Sequence, residues 1–165
     1  MRTRDGSVLG DMIAGAIGGA IATWAMGEVT TYLYDHEAKP AREAEDRARG
    51  GDTAYGAAAQ KVARLAGTTL TNADRQRYGT VIHWGMGVGA AALYGALRDR
   101  VPGSPLARGL LFGTAVWLLM DEGAVYALGL TPGPTHFPWQ THARGLAGHL
   151  VFGAVTDAAL AVLPA

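Results

Sequence analysis

The sequence predicts an all-α integral membrane protein: an antiparallel four-helix bundle with a helical extramembrane segment between helices one and two. Three observations predict it. The chain is 49% hydrophobic and only 17% charged over 165 residues, with its apolar residues gathered into four runs. Most charges fall in one segment, 35–78, which carries eight Lys/Arg and seven Asp/Glu. The runs are joined by one long and two short connections, and short connections make neighbouring helices antiparallel.

The first run, 8–34, reads as a span of about 40 Å, longer than the roughly 30 Å hydrocarbon core. Arg2 and Arg4 before an apolar stretch resemble a signal peptide. Asp11 interrupts that stretch, however, and hydrophobic sequence continues past Ala22, so the run is expected to remain as a helix. In the polar segment, Ala41–Arg49 reads as a solvated helix started by Pro40 and broken by Gly50-Gly51. Ala57–Ala66 reads as a short amphipathic helix with Val62 and Leu65 on one side, ended by Gly67. Thr71 with Asp74 resembles a capping box. The remaining spans are expected at 79–97, 107–129 and 143–163, with turns at Pro102/Pro105 and in LTPGPTHFPW, 130–139. Phe137 and Trp139 suit the membrane interface.

Glycines at 15/19, 85/89, 109/113 and 145/153 place small rows on every span, which in lipid let helix backbones approach closely. Packing within the bundle is the expected use, and homo-oligomerisation would use the same physics. The density of Arg2, Arg4, Arg98, Arg100 and Arg108 on one side predicts cytoplasmic N- and C-termini.

Composition excludes several chemistries. Without cysteine there is no disulfide, thiolate metal site or thiol nucleophile. Fourteen basic and fourteen acidic residues balance, so nucleic acid is not an expected partner. No GxSxG elbow or HExxH motif supports hydrolysis.

Ionisable residues inside apolar sequence are expensive and mark functional positions. Glu28, His83, Asp121, Glu122 and His149 fall, by residue count, about 6–12 Å from the same end of the bundle. They predict a polar layer beneath the 35–78 segment. Asp121 and Glu122 are adjacent and should diverge by about 100°, so both are not expected to face one point. Asp11 and Asp157 form a sparser second set towards the other face. His136 and His142 read as loop or interfacial residues. The layer admits a sealing hydrogen-bonded network, a proton or cation relay, a metal site of His83, His149, Glu28 and Asp121 or Glu122, or haem ligation by the two deep histidines. No cofactor is implied outright.

Trp24 with Glu28, His83 with Tyr94, Gly109-Leu110-Leu111, GLTP at 129–132, Phe137-Pro138-Trp139, and Gly148-His149-Leu150-Val151 with Asp157 together resemble the YagU-like family of uncharacterised bacterial inner-membrane proteins. Asp121 departs from the family pattern, standing where a His is expected. The resemblance implies an inner-membrane, multi-pass, four-helix protein and supplies no reaction. The expected function is therefore proton or cation handling or membrane stress response, without clear enzymatic character. The alternative is a structural subunit that packs against a larger membrane complex, and the lipid bilayer is the one partner common to both.

Overall fold

The computed structural model describes residues 7–163, so the charges of Arg2 and Arg4 lie outside the described residues. Its helices are α1 (Val8–Asp35), α2 (Lys39–Arg49), α3 (Ala54–Leu65), α4 (Asn72–Leu97), α5 (Pro105–Leu119), the single turn α6 (Val125–Ala127) and α7 (Trp139–Val162). A π-helical segment, Met120–Ala124, joins α5 to α6, and 3₁₀ turns occupy Arg98–Arg100 and Pro134–His136. No strand occurs among the described residues. Four stretches are long and apolar enough to cross a membrane: Val8–Asp35, Asn72–Arg100, Pro105–Ala127 and Trp139–Val162.

Local chemistry sets the ends of these helices. Ser7, Thr53, Thr71 and Ser104 each accept a hydrogen bond from a backbone N–H in the first turn, supplying a partner to a donor the helix itself leaves unpaired. At Thr71 the hydroxyl also donates to the Asp74 carboxylate, 2.7 Å away. That cap starts α4 at Asn72, seven residues before the apolar run begins. Gly50 and Gly129 close α2 and α6 with φ near 62°, a conformation that penalises any side chain.

Packing order follows the glycines. α4 lies against α1, α1 against α7, and α7 against α5. A Cβ on Gly15 or Gly19 would collide with Ala91, and one on Gly109 or Gly113 with the α7 backbone at Gly153 or His149. Two of the predicted rows therefore serve packing within the bundle. Gly85 and Gly89 do not: an added Cβ at either meets open space. On α4 the close approach is made instead by Gly87 and Gly95, which face Thr23 and Asp11 of α1.

Two helices of the polar segment differ from their sequence reading. α2 is not simply solvated, because Ala41 and Glu45 are buried against the end of the bundle. α3 buries Gly56, Ala59, Gln60 and Ala63, while Val62 and Leu65 face outward. Small residues win the inner face because Gly56 meets Gly79 of α4 almost backbone to backbone, leaving no room for branched side chains.

A candidate polar binding cavity

α7 carries two functional faces. Thr141, Arg144 and Gly148 turn towards α2 and α1, and His142, Gly145 and His149 turn towards α5 and the π segment. Spacings of three and four residues put each set on one side of the helix.

The first face ties α2 onto the bundle. Glu45, 1% exposed, accepts hydrogen bonds from Arg144 Nη2 at 2.5 and 2.7 Å, from Arg49 Nε at 2.8 Å and from Thr141 Oγ1 at 2.8 Å. Arg144 also pairs with Glu37, and its guanidinium lies 5.0 Å from the Tyr34 ring centroid. Burial alone would raise the Glu45 carboxyl, but the bonds from Arg144, Thr141 and Arg49 outweigh it and hold it below the ordinary glutamate value.

The second face opens on a cavity of about 420 Å³. His83, Asp121, Glu122 and His149 all line it, joined by Tyr55, Trp117 and His142. His149, 7% exposed, has Nδ1 at 2.9 Å from the Gly145 carbonyl and 3.6 Å from Asp121 Oδ2. Only the first distance is a hydrogen bond. Nδ1 therefore carries the proton of the neutral ring, which leaves the lone pair on Nε2. Gly145 makes room here, since a Cβ on it would fall 3.2 Å from Trp117 Nε1 and 3.4 Å from Asp121 Oδ2. Glu122 reaches the first turn of α7, where its Oε1 lies 2.7 Å from His142 Nδ1. His142 Nε2 lies 3.1 Å from the Pro134 carbonyl. Both ring nitrogens of His142 thus face oxygen atoms, one on Glu122 and one on Pro134.

Asp121 and Glu122 line the same cavity without facing one point. They sit in the π segment and still point apart, Asp121 towards His149 and Glu122 towards His142. The cavity is long enough for the two to address different residues of α7.

Two buried nitrogens on residues lining this cavity lack partners: the Trp117 Nε1 donor, and His83 Nδ1, which donates or accepts according to the ring's tautomer. Neither His83 Nδ1 nor Trp117 Nε1 makes a hydrogen bond, although buried polar groups are paired in the large majority of cases. The Tyr55 ring packs 4.8 Å from that of His83. Burial, reinforced by the charge of Asp121, pushes the Tyr55 hydroxyl above the ordinary tyrosine range.

Glu28 is a correction. It is exposed on α1, in the outward stripe that also holds Ile21, Trp24 and Tyr32, and does not line the cavity. The seven-residue offset from Asp35 gives it the right depth but the wrong face. Among the described residues no three His, Asp or Glu side chains converge as metal ligands, so the set His83, His149, Glu28 and Asp121 is not assembled. For the haem reading, His149 Nδ1 is committed to Gly145 and only Nε2 is left to ligate.

The second polar set also divides. Asp157, 1% exposed, accepts from Tyr94 Oη at 2.7 Å and from Arg98 at 2.7 and 3.1 Å, with Arg108 Nε at 3.9 Å. This cluster locks α4, α5 and α7 together at the end away from α2. Asp11 is not part of it. It lies in the first turn of α1, where a carboxylate suits the helix dipole.

Sequence reasoning missed Glu45, Arg49, Tyr55, Trp117, His142 and Arg144. A signal existed for one pair: Arg144 at the head of an apolar run needs a buried acid, and a charge-balanced α2 supplies it. Nothing in the sequence distinguishes Trp117 from other apolar aromatic residues.

A family model described as "Protein of unknown function (DUF1440)" matches residues 56–158, well over half of the chain. That range includes α4, α5, α6 and α7 as far as residue 158, and every lining residue of the cavity from His83 to His149. No curated protein and no solved structure matches the chain.

Proposed function

The chain belongs to the DUF1440 family, and because that family's description assigns no activity, we propose one from the geometry. The protein is a multi-pass membrane protein that binds a polar, hydrogen-bonding group in the cavity between α4, α5 and α7. One observation carries this: two buried nitrogens without partners, His83 Nδ1 and the Trp117 Nε1 donor, belong to residues that line the same cavity as the Asp121 carboxylate and the buried His149 ring. A ligand with both an acceptor and a donor would satisfy all of them.

Proton handling, in this reading, is exchange with the bound group and not conduction across the bilayer. Tyr94 stacks on Phe112 at 4.2 Å, and Phe112 packs on Phe152 at 5.6 Å. Of these three rings only Tyr94, whose hydroxyl donates to Asp157, carries a titratable group, so we infer no chain of acids and histidines from the cavity to the Asp157 cluster. The accessory-subunit reading loses support because most of the glycine rows are used inside the bundle. We further infer a bacterial inner-membrane location with cytoplasmic termini, which puts α2 and α3 outside the cytoplasm, and the narrower YagU-like kinship suggested by GLTP, FPW and GHLV.

Two measurements test the proposal. Native mass spectrometry of protein extracted in mild detergent should find a retained small molecule on the wild type, lost from the double variant His83→Ala/Trp117→Phe. Liposomes containing the protein should show no more proton flux than empty ones. Equal occupancy in the double variant, or flux that His149→Ala abolishes, would overturn it.

A further inference from the structure

Directly beneath the polar cavity is a second chamber of about 610 Å³, between α4 and α5. Its walls are apolar: Leu93, Tyr94 and Leu97 from α4, and Phe112, Val116 and Leu119 from α5. Met26, Tyr55, His83 and His149 line both chambers, so the two adjoin at the histidines. Leu93 and Leu119 are 59% and 65% exposed although both line the chamber, so it opens sideways between the two helices. The opening lies within the spanning stretches, where the surrounding medium is hydrocarbon. Tyr94 and Phe112 stack in its wall, and Leu97 and Val101 line it further along.

We propose that the occupant is a membrane-dissolved amphiphile with a single hydrocarbon tail and an uncharged head bearing hydroxyl or carbonyl oxygen. The proposal rests on the cavity being a binding site and names its substrate class. The tail fills the apolar chamber, and the head enters the polar one past His83 and His149. Head chemistry follows from what is unsatisfied. His83 Nδ1 and Trp117 Nε1 lack partners, and Trp117 can only donate, so it calls for an acceptor oxygen. Asp121 accepts no hydrogen bond from another residue and calls for a donor. The cavity's arginines are already committed to acids: Arg144 to Glu37 and Glu45, Arg49 to Glu45. Among the described residues lining the cavity no arginine or lysine is left unpaired for a phosphate or carboxylate head, and the Asp121 carboxylate would repel one. Entry from the flank explains why α4 carries Gly89 on this wall with open space where a side chain would stand. Each chamber, at about 420 and 610 Å³, is within the usual range for small-molecule sites, roughly 300–1,000 Å³.

The test uses a monoacylglycerol brominated near its head, in nanodiscs, with Trp117 as the reporter after Trp24, Trp84 and Trp139 are changed to Phe. Bromine quenches indole fluorescence on contact. The long-chain probe should quench Trp117 saturably, and a short-chain probe with the same head should bind at least roughly tenfold more weakly. Gly89→Leu, which places a side chain in the empty chamber, should weaken the long-chain probe by a similar factor while leaving the helical circular dichroism intact. Equal binding of both chain lengths, unaltered by Gly89→Leu, would overturn the tail chamber and leave the polar site standing. A brominated fatty acid binding as tightly as the monoacylglycerol would overturn the uncharged head. Unsaturable quenching that Gly89→Leu does not alter would mean contact from surrounding lipid and would overturn the proposal. A second copy of the chain filling the opening would do so too, and would appear as a dimer in the nanodisc that Gly89→Leu disrupts.

Discussion

Single side chains divide into those that hold the fold and those that are left unsatisfied. Glu45 holds: it is buried beneath α2 and bonded to Arg144, Arg49 and Thr141. Its folded-state value is lowered, so its contribution to stability is present above the ordinary glutamate range and lost as pH falls through the lowered value. The hydrogen-exchange protection factors of the α2 amides, corrected for the intrinsic pH dependence of exchange, should therefore fall in acid. Glu45→Gln should produce the same loosening at neutral pH, costing about 3 kcal/mol because Arg144 keeps only Glu37. The opposite end gives a sharper contrast. Asp157→Asn strands Arg98 beside Arg108 and should cost about 3–5 kcal/mol in chemical unfolding, whereas Asp11→Asn should change stability by less than about 1 kcal/mol. Equal losses would show that Asp157 is not the lock. Trp117→Phe removes a donor that bonds to nothing, so it should disturb ligand retention far more than folding.

Elements are where sequence and structure can be compared in detail. The four spans were legible because hydrophobic runs of this length have few other uses, and the caps at Thr71 and Ser104 refine their starts by a few residues. The faces were less legible. Residue counting placed Glu28 at the correct depth, but depth says nothing of rotation about the helix axis, and Glu28 falls on the outward stripe. Adjacency says that Asp121 and Glu122 point apart, but not that both directions open on one cavity, and nothing in MDEGA announces the π turn they sit in. Likewise, α2 reads as solvated from its own residues, and only Arg144, nearly a hundred positions away, reveals which of its acids is buried. The glycines show the same limit: Gly113 and Gly85 look alike in sequence and differ wholly in surroundings. Gly113→Val should separate α5 from α7 and destabilise by about 1–3 kcal/mol, while Gly85→Ala should be tolerated or slightly stabilising through its helix propensity. Thermal unfolding of the two variants in one detergent checks the difference.

At the scale of the whole molecule, the bundle is a sheet of helices in the order α4, α1, α7, α5, bent so that its outer members flank the two chambers. Its exterior carries exposed Ile13, Ile17, Ile21, Trp24, Leu111 and Leu118, an apolar surface larger than a water-soluble monomer tolerates and well suited to lipid. The cysteine-free chain makes its orientation easy to read. Glu43→Cys beside α2 should react with an impermeant maleimide on intact cells, and Asp99→Cys only after permeabilisation; the reverse pattern would invert the topology. The central claim is that the polar cavity is an occupied site. An experimental density map of the protein prepared from native membranes tests it most directly. It should show a bound molecule whose polar end lies within hydrogen-bonding distance of His83 Nδ1 and Trp117 Nε1, and a collapsed cavity in which both nitrogens bond to the protein's own groups would contradict it.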